Sequence, residues 1–118
     1  MRILLVEDDE ALATIVTEAL ADEGHLTTAV TGWEEAFPLA ETQRWDLFIV
    51  DAFGESLLQP EERYCATLRR LAEHGPVLVT SGRTWAAHAR PEELGASAVL
   101  PKPYDLEELS AQVAALAR

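Results

Sequence analysis

The chain has 118 residues, 48% of them apolar and 25% charged, which is typical of one globular domain and excludes a disordered segment. Its net charge of −12 argues against nucleic-acid binding by this domain, because phosphate contacts need clustered Lys and Arg. No apolar run approaches the ~20 residues of a membrane span, and the first residues turn acidic too early for a secretory signal. The single cysteine, Cys65, fits a reducing compartment. We therefore expect one cytoplasmic domain over residues 1–118, with no membrane contact.

The N-terminal residues predict a strand followed by a helix. Ile3 to Val6 is a short apolar run, and the acidic residues after it include Asp8 and Asp9, either of which can cap the helix. Gly24 is suited to end that helix. Its inward face is predicted to carry Leu12, Ile15, Val16, Ala19 and Leu20.

A second strand and helix, and then a third strand, come next. Leu26 to Val30 predicts the strand, and Thr31 to Glu34 has the capping-box pattern of a helix start. Pro38 predicts either a kink in this helix or a later start. The unbroken apolar run from Leu47 to Val50 predicts a strand buried on both faces, and it ends in Asp51.

The third helix and the fourth strand follow a loop. Pro60 suits the first helical position, and Gly75 suits the end of the helix. Pro76 to Ser81 predicts the buried strand. The inward stripe of the helix is predicted to contain Tyr64, Leu68, Leu71 and Ala72.

The last part of the chain completes the alternation. Residues 84–94 are helix-like but interrupted by Pro91, and Ala96 to Leu100 predicts the fifth strand. Asp105 to Glu108 is a second capping box, opening a helix that buries Leu106, Leu109, Val113 and Leu116. Five strands alternating with five helices predict a single α/β domain, a doubly wound parallel sheet with helices on both faces.

Polar residues follow the carboxyl ends of four predicted strands, where open α/β sheets bind ligands. They are Glu7, Asp8, Asp9, Asp51, Thr80, Ser81 and Lys102, the last being the only lysine in the chain. Crowded carboxylates repel each other unless a cation joins them, and a few carboxylates with retained waters suit Mg²⁺. A metal, a hydroxyl and an ammonium around a carboxylate form a cradle for a phosphoryl group, with Asp51 as the nucleophile. Each residue alone also fits a cap or a turn; their convergence favours the site.

These segments resemble the receiver domain of bacterial two-component response regulators over the whole chain. The resemblance implies a flavodoxin-like fold with strand order 2-1-3-4-5. It rests on the runs Ile3 to Asp9, Leu47 to Asp51, Pro76 to Gly82, Leu94 to Ala96 and Lys102 to Tyr104.

The resemblance also implies the roles of the site residues. Asp51 would take a phosphoryl group from a histidine kinase or a histidine phosphotransfer protein. Mg²⁺ would lie on Asp8, Asp51 and the backbone carbonyl of Phe53, with Glu7 bound directly or through water. Asp9 fits the family register less well.

Ser81 would be the switch hydroxyl and Lys102 the ion-pair partner of the phosphate, with a cis bond at Lys102-Pro103. Phosphorylation would pull both toward Asp51 and repack residues 82–104, changing the surface near the fourth helix, fifth strand and fifth helix. Such a domain is regulatory and at most catalyses its own phosphotransfer and dephosphorylation. It passes the signal to a downstream effector domain or protein, and a homodimer formed on phosphorylation is compatible with the resemblance.

The sequence departs from the family pattern at two places near the site. Val99 stands where the family usually has an aromatic that turns inward, and residues 52–58 replace the usual loop after the phosphoacceptor. Trp85 and Tyr104 flank the same face; they could replace the missing aromatic, but the favoured reading is that both are ordinary half-buried aromatics. The alternative is a pseudo-receiver, an interaction module that works without phosphorylation. A Mg²⁺-dependent phosphatase or phosphotransferase acting on small molecules is disfavoured, since no second acid follows Asp51 as an acid or base.

Overall fold

A computed structural model describes residues 1–51, 62–81, 86 and 90–116. The described strands are β1 (Arg2–Val6), β2 (Leu26–Val30), β3 (Leu47–Asp51), β4 (Val77–Ser81) and β5 (Ala98–Pro101). The described helices are α1 (Glu10–Asp22), α2 (Trp33–Thr42), α3 (Glu62–Ala72), α4 (Pro91–Leu94) and α5 (Leu106–Leu116). No helix among these residues is both long and apolar enough to cross a membrane.

All five strands are parallel and lie in the order β2-β1-β3-β4-β5. This confirms the predicted doubly wound, flavodoxin-like α/β fold. The three central strands are apolar along almost their whole length, because helices cover both faces of the sheet. The sheet therefore places the carboxyl ends of β1, β3, β4 and β5 along one edge.

Two apolar cores lie on opposite faces of the sheet. One, here called the α2–α3 core, joins the sheet to α2, α3 and α4, and the other, the α1–α5 core, joins it to α1 and α5. Alternation along β4 shows the division: Val77 and Val79 belong to the α2–α3 core, whereas Leu78 belongs to the α1–α5 core. Cys65 is buried in the α2–α3 core, and burial raises the pKa of its thiol.

Three of the predicted helix starts can be compared with the structure. Asp9 caps α1, its carboxylate accepting a hydrogen bond from the backbone of Leu12 at 3.1 Å, and Asp105 caps α5 in the same way. The predicted capping box of α2 is wrong: the N-cap is Gly32, which has no side chain to cap the helix, and the Thr31 hydroxyl donates to Glu35 at 2.6 Å instead. Helix α2 still begins at Trp33, so Pro38 does not delay its start.

Three residues predicted to be inward are exposed. Ile15 and Leu106 keep 51% and 43% of their surface accessible, and Ala72 is exposed as well. Helical spacing identified the right faces of these helices, but none of the elements that the structure describes covers these positions. Pro91 is the first residue of α4, the position proline tolerates best, and Arg90 before it is extended, so no helix runs through this proline, as predicted. Pro60 and residues 84 and 85 lie outside the described residues.

Candidate functional site

The parallel sheet brings three charged side chains together from distant parts of the chain. The Lys102 ammonium lies 2.6 Å from Oδ1 of Asp51 and 3.5 Å from Oε1 of Glu7. Glu7 follows β1, Asp51 ends β3 and Lys102 follows β5, so all three are carried to the same edge. The structure thus confirms the prediction that these three residues, which follow or end different strands, lie close together.

An acidic cluster surrounds this ion pair. One carboxylate oxygen from each of Glu7, Asp8 and Asp51 lies within 4.8 Å of the others. Asp9 is turned to the helix cap of α1 instead, where its carboxylate bonds Leu12. The structure thus places Asp8, rather than Asp9, beside Asp51.

Glu7 is the most buried acid of the cluster, with 4% of its side chain exposed. Burial, followed by the charge of Asp51, raises the pKa of Glu7 from 4.5 to about 7, while the charge of Lys102 opposes the rise. The site therefore concentrates negative charge beyond what one lysine offsets. Its donors are all carboxylate oxygens, the ligand type that Mg²⁺ prefers. On both grounds, Glu7, Asp8 and Asp51 fit a divalent hard cation.

Lys102 is fixed both by its side chain and by its backbone. Burial alone would lower its pKa, but the hydrogen bond to Asp51 and the charges of Asp51 and Glu7 raise it, so the ammonium stays charged. Its backbone N–H donates to the carbonyl of Ser81 at 2.7 Å. The peptide bond between Lys102 and Pro103 is cis, as predicted.

The two hydroxyl residues at the end of β4 are both buried. Thr80 is the register partner of Asp51, and Ser81 is the register partner of Pro101. Strand alternation points their side chains to opposite faces of the sheet. The main chain of Ser81 therefore meets the segment that carries Lys102, while the role of its hydroxyl stays a prediction. Phe53 and Gly82 lie outside the described residues.

Val99 and Tyr104 lie on opposite sides of the sheet near this edge. Val99 is half-buried against the α2–α3 core, and Tyr104 is half-buried against the α1–α5 core. Burial raises the pKa of the Tyr104 phenol. The reading of Tyr104 as a half-buried aromatic is confirmed.

Tyr64 reaches the site although the sequence indicated only a core position for it. Its hydroxyl donates to the backbone carbonyl of Asp51 at 3.4 Å, and burial raises its pKa above the ordinary value. The ring centroid of Trp33 lies 6.4 Å away. The sequence did contain a signal for this contact. Tyr64 is the one residue with a hydroxyl on the predicted apolar face of the third helix, and a buried tyrosine hydroxyl usually has a hydrogen-bond partner.

Comparison with known proteins agrees with this geometry. Residues 3–114 match the family model described as response regulator receiver domain. The chain is 33% identical over 120 residues to the transcriptional regulatory protein TcrA of Mycobacterium tuberculosis, covering 100% of this chain and 46% of that protein. It spans about half the length of the curated relatives it matches.

Two solved structures show the same fold at 25% identity. HP1043, an orphan response regulator of H. pylori, superposes with a TM-score of 0.79, covering 100% of this chain and 97% of that one. An atypical orphan response regulator, described as having a phosphorylation-independent regulatory mechanism, has a TM-score of 0.78 and covers 100% and 96%. The chain belongs to the response regulator receiver domain family, whose members are regulatory modules of two-component signalling.

Proposed function

We propose that this domain is a phosphoacceptor, in which Asp51 receives a phosphoryl group from a histidine kinase or a histidine phosphotransfer protein. The observation that carries the proposal is the 2.6 Å contact between Lys102 and Asp51 beside the carboxylates of Glu7 and Asp8. This arrangement pairs a fixed nucleophile with charges suited to a phosphoryl group.

In the proposed step, a carboxylate oxygen of Asp51 attacks the phosphorus of a phosphohistidine. The new P–O bond makes an acyl phosphate, and the P–N bond breaks as the imidazole leaves with its electron pair. The Lys102 ammonium, now paired with Asp51, neutralises charge on the phosphoryl oxygens. The buried Ser81 hydroxyl is proposed to donate to another of them.

Asp8, Asp51 and Glu7 would hold Mg²⁺, with the backbone carbonyl of Phe53 as the further ligand suggested by the family resemblance. When bound, the ion supplies Lewis-acid stabilisation of charge on the transferring group. Glu7 and Asp8 contribute by holding their oxygens within 4.8 Å of an oxygen of Asp51, which orients the set before the donor arrives.

The proposed output is a change in the surface near α4, β5 and α5. Lys102 and Ser81 are linked through their backbones, so a movement of either toward a phosphate displaces the end of β5. An effector domain or protein in the cytoplasm would read this change, since TcrA is a transcriptional regulatory protein longer than this chain. A homodimer formed on phosphorylation is one form that this output can take.

Intact mass after incubation with acetyl phosphate and Mg²⁺ tests the proposal. The parent should gain the mass of one phosphoryl group, Asp51→Asn should gain none, and Asp22→Asn, an exposed acid at the end of α1, should behave as the parent. Omission of Mg²⁺ with EDTA present should abolish the gain. If the parent stays unlabelled under conditions that label a known receiver, the domain is a pseudo-receiver, and the mechanism described for the atypical orphan relative becomes the better model.

A further inference from the structure

Asp51 is contacted by two different groups at the end of its strand. Lys102 holds the carboxylate, at 2.6 Å from Oδ1, and the Tyr64 hydroxyl donates to the backbone carbonyl at 3.4 Å. The first contact comes from the segment after β5 and the second from α3. The side chain and the backbone carbonyl of Asp51 are therefore each contacted by a different element.

The residues around the two contacting groups pack on opposite faces of the sheet. Tyr64 belongs to the α2–α3 core, whereas Leu100, two residues before Lys102, belongs to the α1–α5 core. Asp51 is the last residue of β3, and its register partner Thr80 is the last but one of β4. At the end of a strand the ladder restrains the backbone from one direction only, so a side-chain bond to the carbonyl adds a restraint that the sheet does not supply.

Packing alone does not require the hydroxyl of Tyr64. Tyr64 as a whole is 94% buried in the α2–α3 core, with the ring of Trp33 beside it, and a phenylalanine ring would fill the same volume. Burial of a hydroxyl costs free energy unless it is hydrogen-bonded, and its partner among the described residues is the Asp51 carbonyl. The polar atom of this core side chain is thus directed at the phosphoacceptor.

We propose that Tyr64 is a positioning residue for Asp51, and that its hydroxyl fixes the backbone at the end of β3 so that the carboxylate keeps its place between Lys102 and the acidic cluster. This rests on the proposed function of Asp51. Small displacements of a reacting group are costly, because reaction requires near-attack geometry.

The matched variants are Tyr64→Phe, which removes the hydroxyl and keeps the ring, and Cys65→Ala, which alters the next buried side chain of α3 without touching Asp51. Urea unfolding of both variants checks that each is folded before the rates are compared. With acetyl phosphate and saturating Mg²⁺, the initial phosphorylation rate of Tyr64→Phe should fall about three- to tenfold, whereas that of Cys65→Ala should stay within about twofold of the parent.

The carbonyl ¹³C chemical shift of Asp51 in the unphosphorylated protein is the second readout. It should move in Tyr64→Phe, because the carbonyl loses a donor, and move much less in Cys65→Ala. A Tyr64→Phe protein with the parent's phosphorylation rate or the parent's Asp51 carbonyl shift overturns the inference and leaves the proposed function standing. If the parent takes no phosphoryl group at all, the proposed function falls, and the positioning role falls with it.

Discussion

Nζ of Lys102 lies 2.6 Å from Oδ1 of Asp51, although the two residues are 51 positions apart in the chain. The same ammonium is 3.5 Å from Oε1 of Glu7, so one cation serves two carboxylates. Replacing it leaves two acids facing each other in a largely buried site.

Lys102→Met should therefore destabilise the metal-free protein. We expect the free energy of unfolding near pH 8 to fall by about 1–3 kcal/mol, less than for a fully buried pair because Lys102 is partly exposed. Urea denaturation measures the change. In the Asp51→Asn background the same substitution should cost less, and equal costs in both backgrounds would show that the two residues are not coupled.

The raised pKa of Glu7 predicts how stability depends on pH without metal. A carboxyl whose pKa rises from 4.5 to about 7 on folding contributes stability that is fully present below its unfolded pKa and lost as pH rises through its folded value. Glu7→Gln does not titrate, so its stability relative to the parent should increase from about pH 5 to about pH 8. Urea unfolding in EDTA tests this, with the exposed Glu73→Gln as control; a stability difference that does not change with pH would contradict the assigned pKa.

Leu106 and Leu109 lie on the same helix but differ in burial. We therefore expect them to contribute differently to the free energy of unfolding. Leu109 is buried in the α1–α5 core, whereas Leu106 is 43% exposed. Leu109→Ala should lower the free energy of unfolding by about 2–5 kcal/mol, and Leu106→Ala by less than about 1 kcal/mol. Thermal or urea unfolding of the pair decides; equal losses would show that Leu106 is covered in solution.

Pro38 is an exposed residue inside α2, where it lacks the N–H that the helix needs. Pro38→Ala should raise the free energy of unfolding by about 1–2 kcal/mol, which is the helix-propensity gain less the entropy that proline removes from the unfolded chain. The control is Pro91→Ala, because Pro91 begins α4 and should give no gain. A stability loss in Pro38→Ala would mean that the proline ring itself makes contacts that matter.

Most of the fold could be predicted from the sequence, because a buried strand is recognised from a short run of neighbouring apolar residues. The runs Leu47 to Val50 and Val77 to Val79 are short, apolar on both faces and rich in β-branched residues, which is typical of strands covered by helices on both sides. Helical periodicity predicted the burial of individual side chains less well. It identified the faces that carry Ile15 and Leu106 but not whether another element covers them, since coverage depends on where neighbouring helices end.

The sequence by itself determined which polar residues end the strands, and parallel topology then required Glu7, Asp51 and Lys102 to share an edge. Only the tertiary structure decided how they meet: that Lys102 bonds Asp51, that Glu7 is buried enough for its pKa to reach about 7, and that the Tyr64 hydroxyl contacts the Asp51 carbonyl. These features depend on distances of a few ångströms between elements far apart in the chain. Local pattern carries no information about such distances, because they are set by how the helices pack on the sheet.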